Sequence, residues 1–227
     1  MVNYKNIKDL KNIHKGHDIW ILMAGSSMNY IDTSFFEGKI TIGQNQMYKH
    51  FPTSYVVMKD CMEEPRFPRS IQECKELDIP LIFSEYYKGH PNEGRNLPLY
   101  DGAYVFTHNL RTLSLEDELK TLGKHQIIVS RSTATSLIHI AAYMGAKNII
   151  LAGHDVGTLN GDLYFDGYLE KDWTSAGNWS GINSWMGSLE KESQMVRAYL
   201  KENYNCNIHS LNPFLNLGLE GNLFVKS

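Results

Sequence analysis

QIIVSRSTATSLIHIAAYMGAKNIILAGHD, residues 126–155, carries the clearest architectural signal in the chain. Gln126–Val129 is a short apolar run of strand length, and Asn148–Ala152 is a second one. Between them, Ser132–Met144 places Ala134, Leu137, Ile138, Ala141, Ala142 and Met144 at the spacings of a largely buried helix. Gly145 can end that helix, since glycine tolerates the left-handed backbone of a helix C-terminus. Strand, helix and parallel strand predict a βαβ unit, whose crossover is right-handed in nearly all proteins. Ligands of open α/β sheets bind outside the carboxyl ends of the strands, so the turns Ser130–Thr133 and Gly153–Asp155 are where chemistry is expected.

The same alternation extends in both directions. Strands are expected at Asp18–Met23, Lys39–Gly43, Tyr55–Met58, Leu81–Phe83 and Ala103–Phe106, with helices at Arg69–Leu77 and Leu115–Leu122, the latter closed by Gly123. An amphipathic helix at Leu189–Asn203 and a strand at Asn207–Leu211 close the pattern. Residues 85–102 and 157–187, rich in Gly, Tyr, Asn and Trp, read as long inserted loops over the site. The expectation is one Rossmann-like α/β domain over 1–227, a mostly parallel sheet with helices on both faces. The turns Gly25–Ser27 and Gln44–Gln46 should converge with the two already named.

Composition narrows the function. With 227 residues and 42% apolar content the chain can bury one sizeable core, and a net charge of −3 with scattered lysines and arginines argues against nucleic acid as a partner. Glu116-Asp117-Glu118 reads as a solvated helix face. Three cysteines, Cys61, Cys74 and Cys206, lack metal or redox spacing and fit a reducing compartment. No signal-peptide core and no run near ~18 apolar residues is present, so a cytoplasmic location is expected. Peripheral association with the inner face of a membrane and homo-oligomerisation stay open.

Several residues can carry chemistry. Ser130-Arg131-Ser132-Thr133 joins a guanidinium to hydroxyls at a helix N-terminus, where unpaired N–H groups favour an anion such as phosphate. The alternative is a helix cap by Ser132 or Thr133 with Arg131 on a surface carboxylate. Gly25-Ser26-Ser27 offers backbone N–H and hydroxyl groups to a phosphate or ribose, although short glycine turns are common. Asn45 and Gln46 can read a base or sugar edge, or satisfy a turn. His154 could act as a base with Asp155 orienting it, or Asp155 could simply close a loop. Tyr164 could meet a leaving phosphate, and Tyr168, Trp173, Trp179 and Trp185 could stack on ligand or pin a loop. The chain contains no G-x-G-x-x-G, phosphate-loop or G-x-S-x-G motif, and its nine histidines show no zinc-ligand spacing.

Taken together, Ile21–Asp32, Asn45-Gln46-Met47-Tyr48, Ser130–Asp155 and Tyr164-Phe165-Asp166 resemble one superfamily. It groups the bacterial sialyltransferases of glycosyltransferase family 42, the flagellar motility-associated factor glycosyltransferases and the MptE-like 6-hydroxymethylpterin diphosphokinases. The resemblance covers roughly residues 14–215. It implies that Gly25, Ser27, Asn45 and Gln46 hold a cytidine nucleotide and that Arg131, Ser132, Thr133 and Tyr164 hold its phosphate, with Arg131 one place out of register. Where the sialyltransferases have their catalytic histidine, this chain has Gly187-Ser188, which makes His154 the substitute base.

The resulting expectation is a glycosyltransferase that moves a sugar, plausibly a nonulosonic acid, from a CMP donor to a surface glycan or glycoprotein. The nucleotide-binding set is Gly25, Ser26, Ser27, Asn45, Gln46, Asp60, Arg131, Ser132, Thr133 and Gly153, and the catalytic set is His154, Asp155 and Tyr164. Without an Asp-x-Asp triplet at a strand end, no metal or other cofactor is expected. Two alternatives stand beside it. One is a diphosphokinase acting on a pterin alcohol with ATP, which would need Mg2+ held by Asp60, Asp155, Asp162 and Asp166. The other is a nucleotide-binding module without catalysis.

Overall fold

The computed structural model describes residues 2–59, 66–86, 88–91, 93–94, 100–107, 114–129, 132–155, 159, 162–168 and 182–211. Within them, eight strands form one sheet. They are β1 (Lys5–Asn6), β2 (Asp18–Leu22), β3 (Ile40–Gln44), β4 (Tyr55–Met58), β5 (Leu81–Glu85), β6 (Tyr104–Thr107), β7 (Asn148–Ala152) and β8 (Asn207–Ser210). All pairs are parallel, in the order β1-β6-β5-β4-β3-β2-β7-β8. The helices are α1 (Arg66–Glu76), α2 (Leu115–Thr121), α3 (Thr133–Tyr143) and α4 (Ile182–Tyr204). This is the expected α/β architecture.

Alternation along each strand sorts the core. Ile19 and Ile21 of β2 join Ile42, Val57, Ile82 and Phe106 beneath Leu137 and Ile140 of α3 and Val196 and Leu200 of α4. Leu22 points to the opposite face, with Ile150 and Ala152, under Met28, Phe36, Met47, Phe51 and Phe165. Val56, Met58, Leu81 and Phe83 meet Ile71 and Cys74 of α1 on that face. Each fully buried Leu, Ile or Phe is worth about 1.5–3 kcal/mol relative to exposure. Helices therefore cover both faces, but short 3₁₀ turns cover the part around β2 and β7.

Contacts at the amino end of the sheet fix β2, β7 and β8 against one another. Asn207 Nδ2 donates to Asn148 Oδ1 at 3.0 Å, and Asn148 Nδ2 donates to Asp18 Oδ1 at 2.7 Å, so the first residues of the three strands are joined in register. Carbonyls of Tyr143, Met144 and Gly145, at the C-terminus of α3, accept from the amides of Asn12, His14 and Gly16 at 3.0, 2.9 and 2.9 Å. A side chain at Gly145 would be strained at φ +92 and would place Cβ 2.9 Å from Lys15 Cα.

Three expectations need correction. Glu85 belongs to β5, and α4 begins at Ile182, so the two inserted loops lose residues to regular elements. The two-residue β1 was not anticipated. More consequential, Gln126–Val129 is not a strand of the sheet, and β7 instead pairs with β2 and β8. Ile127, Ile128 and Val129 are buried, but side chains replace the ladder. Ile128 N–H donates to His139 Nδ1 at 3.0 Å, and its carbonyl accepts from Ser136 Oγ at 2.6 Å. Val129 N–H donates to Glu118 Oε1 at 2.7 Å, and its carbonyl accepts from Lys59 Nζ at 2.6 Å.

His139 accepts at Nδ1, so its proton sits on Nε2, 2.8 Å from Tyr204 Oη. Replacing it by leucine would leave the buried Ile128 N–H unpaired. We expect His139→Leu to lower the unfolding free energy by about 1–3 kcal/mol in urea melts. An unchanged midpoint would show that these side-chain bonds do not hold the 126–129 strap.

Candidate functional site

The strand order reverses at β2: the chain proceeds from β2 to β3 and β4 on one side, while β7 arrives later on the other. The chain leaves β2 and β7 for neighbours on opposite sides, a switch point at whose carboxyl edge ligands of open α/β sheets bind in a crevice. Its floor is made by two glycines and one carboxylate. Met23 N–H and Gly25 N–H donate to the carbonyls of Ala152 and Gly153, each at 2.9 Å, carrying the β2–β7 pairing past the ends of the strands. Asp155, buried at 3% exposure, accepts from Ser27 N–H at 2.7 Å, Ser27 Oγ at 2.5 Å and Ser26 Oγ at 3.4 Å. A Cβ at Gly25 would lie 2.5 Å from the Asp155 carboxyl and from the Gly153 carbonyl. Gly153, at φ +71, would put a Cβ 2.2 Å from the Met23 carbonyl.

These contacts reassign three predicted residues. Ser27 presents both its N–H and its hydroxyl to Asp155, and Ser26 Oγ also accepts from Leu159 N–H at 3.2 Å. Asp155 faces the serines rather than orienting His154. Tyr164 forms a bridge to Gly25 and is half-buried, its ring 5.6 Å from that of Tyr168. Phe165 N–H donates to the Ala24 carbonyl at 3.1 Å, so residues 164–165 are laid along the turn after β2.

At the end of β3 the Asn-Gln pair is split. Gln46 is buried and donates from Nε2 to Ser70 Oγ of α1 at 3.1 Å. Tyr48 donates to Glu73 Oε2 at 2.5 Å, and Lys49 Nζ lies 3.0 Å from the same oxygen, so this turn is docked on α1. Asn45 is buried too, but its backbone sits at φ 50. Asparagine and aspartate enter this left-handed region more readily than other non-glycine residues, as Asn12, Asp78 and Asn205 also do here. The N-terminus of α3 reaches the same edge, since the strap is tied to Lys59 just beyond β4. Ser132 is the N-cap, accepting from Ala134 N–H at 3.1 Å, and Thr133 starts the helix. Asp60, Ser130, Arg131, Trp173 and Trp179, and the side chain of Trp185, lie outside the described residues.

His154 is buried at 6% exposure, and both ring nitrogens lack a hydrogen-bond partner among the described residues. Burial pushes its pKa down to about 4, so the ring is neutral near pH 7. Two buried charged residues at this edge escaped the sequence reading. Lys59 holds the strap, and Glu85 accepts from Tyr86 N–H at 2.7 Å and Gly94 N–H at 2.9 Å, gathering the base of the loop that follows β5. Tyr86 stacks on His90 with centroids 4.4 Å apart. A charge ending an otherwise apolar strand is the sequence signal that both residues share. Asp162 and Asp166 are exposed, away from any shared cluster with Asp155.

No protein-family model matches the chain, and no curated protein sequence does. Among solved structures, it is similar to the monofunctional alpha-2,3-sialyltransferase Cst-I from Campylobacter jejuni, with TM-score 0.53 and 15% identity over 88% of this chain and 76% of that one. It is also similar to the sialyltransferase CstII from Campylobacter jejuni in complex with a substrate analogue, CMP-3FNeuAc. There the TM-score is 0.50 and the identity 15%, over 91% of this chain and 88% of the other. The chain has the fold of these sialyltransferases. No helix among the described residues is long and apolar enough to cross a membrane.

The two buried histidines make stability depend on pH. Folding lowers His154 to about 4 and His139 to about 3, both from 6.5, so below pH 6.5 the unfolded chain binds protons that the folded chain refuses. Stability should be complete above pH 6.5 and fall as pH drops towards 4, by up to about 1.4 kcal/mol per pH unit for each histidine. Denaturant melts between pH 6.5 and 5 should show this slope, and His154→Gln should remove roughly half of it. An unchanged slope in that variant would place the His154 pKa near its ordinary value.

Proposed function

We propose that the protein is a sialyltransferase-like glycosyltransferase that takes a CMP-activated sugar at the carboxyl edge of β2, β3 and β7 and transfers it to a glycan or glycoprotein. The observation that carries this reading is the buried, left-handed Asn45 beside the switch-point crevice, in a fold shared with an enzyme solved with a CMP-sugar analogue. Gly25 and Gly153 let the turns after β2 and β7 close on each other and so shape the floor of the site, and Asn45 offers an amide to the base or sugar of the ligand. Gln46, Ser26 and Ser27 shape the walls. The α3 N-terminus at Ser132-Thr133, with Arg131, supplies donors for the phosphate, and Tyr164 donates to the leaving oxygen.

In the reaction, the acceptor hydroxyl oxygen bonds to the anomeric carbon as that carbon's bond to the phosphate oxygen breaks. The charge developing on CMP needs preorganised donors. The proton of the acceptor goes to His154, whose ring is neutral at pH 7 and whose nitrogens have no hydrogen-bond partner among the described residues. With one leaving phosphate and Asp155 committed to the serines, the proposed chemistry needs no divalent metal. Activity with a CMP-sugar donor should therefore survive excess EDTA. Full dependence on added magnesium, with AMP released from ATP and a pterin alcohol, would replace this reading with the diphosphokinase.

Asn45→Gly relieves the left-handed backbone while removing the amide. It should keep the fold and weaken CMP binding about tenfold or more by calorimetry, equivalent to about 1.4 kcal/mol. Unchanged CMP affinity would end the role of Asn45. His154→Ala should spare CMP binding and slow transfer by about 100-fold or more, with wild-type activity flat from neutral pH to about 5 and falling through 4. Transfer within about threefold of wild type would assign His154 to packing.

A further inference from the structure

We propose that Lys59 is a positioning residue for the donor phosphate: it does not touch the nucleotide, but it sets where the N-terminus of α3 stands over the carboxyl edge. The inference rests on the reading of that terminus as the phosphate site and adds the group that places it.

In a βαβ unit the strand before the helix is held by its ladder, and the helix begins where that strand delivers the chain. Here that anchor is missing. Gln126–Val129 pairs with no strand of the sheet, yet only Ser130 and Arg131 separate Val129 from Ser132, the N-cap of α3. Three Cα steps reach at most ~11 Å, so whatever grips Val129 limits where Ser132 and Thr133 can be.

Val129 is gripped on both sides of its backbone by buried side chains. Glu118 of α2 accepts its N–H at 2.7 Å, and Lys59 Nζ donates to its carbonyl at 2.6 Å. Of the two, Lys59 belongs to the carboxyl edge. It follows Met58, the last residue of β4, whose neighbours are β3 and β5. Its own carbonyl accepts from Ser84 Oγ of β5 at 2.5 Å. A continuous run of bonds therefore leads from β5 through Lys59 to Val129 and the start of α3. Since β3 lies beside β4 and ends at Asn45, Lys59 ties the helix N-terminus to the same edge that carries Asn45.

A lysine is a costly way to pair one carbonyl, because its ammonium must leave water. The adjacent strap carbonyl, that of Ile128, is satisfied by the neutral hydroxyl of Ser136 at 2.6 Å. Lysine supplies reach from β4 and a charge-assisted hydrogen bond, the stronger and more tightly held kind. It does so at Val129, the strap residue nearest the helix. The demand it meets is position, since donors aimed at a phosphate act only when held in place before the charge develops.

Calorimetry of CMP and of cytidine on the full chain separates what the phosphate contributes from what the nucleoside contributes. The wild-type chain should bind CMP at least tenfold more tightly than cytidine. Lys59→Met should weaken CMP alone, bringing the two affinities to within about threefold of each other and leaving cytidine unchanged. Lys59→Gln, whose donor stops one bond short of the lysine nitrogen, should do the same, and it serves if the methionine variant does not fold. A lysine that only stabilises the fold would lower the urea midpoint and leave the CMP-to-cytidine ratio at its wild-type value, which would overturn the positioning role alone. Wild-type chain that binds CMP no better than cytidine would overturn the phosphate-site reading and this role with it.

Discussion

The carboxylate of Asp155 occupies the space where a β-carbon at position 25 would be, and the geometry of the crevice follows from that substitution. A buried carboxylate needs donors, because an unpaired charge out of water is costly. Ser26 and Ser27 provide them, and hydrogen bonds to a charged group are worth about 1.5–3 kcal/mol each. The turn after β2 is thereby locked to the turn after β7. Tyr164 and Phe165 can then lie along Gly25 and Ala24, and the end of β3 with Asn45 meets a wall of fixed shape.

Most of the architecture was legible because it rests on local periodicity. Apolar runs located seven of the eight strands to within a few residues, and Gly145 marked the end of α3 through its need for positive φ. The strap at Gln126–Val129 defeated the same reasoning for a specific cause. Its composition suits a buried strand, but its backbone is satisfied by Lys59, Glu118, Ser136 and His139, residues no spacing rule connects. The short β1 has no apolar pattern at all; its two residues are exposed and paired only to β6.

The candidate site was legible in position more than in detail. Strand ends at β2, β3 and β7 lie before Gly25–Ser27, Asn45–Gln46 and Gly153–Asp155 as expected, whereas Ser132-Thr133 follows the strap and no strand. Which neighbour each side chain takes depends on strands far apart in sequence. Asp155 chose the serines over His154 because β2 is the partner of β7. Asn45 and Gln46, adjacent and chemically alike, differ in their surroundings: Asn45 takes a left-handed backbone at the end of β3, and Gln46 turns towards Ser70. Burial of His154 likewise reflects packing around the crevice that no local pattern records.

The bond between Ser27 and Asp155 closes a separation of 128 residues, the strand β2 having β3 as one neighbour and β7 as the other. During synthesis β2 gains β3 as a neighbour soon after it is made, and its other edge stays open until β7 has been translated. Long-range parallel pairing of this kind is slow, since loop-closure entropy must be overcome before the contact forms. The crevice is accordingly among the last features the nascent chain can acquire, and a growing chain that has not yet reached residue 155 holds an unpaired apolar strand of the sort that chaperones protect.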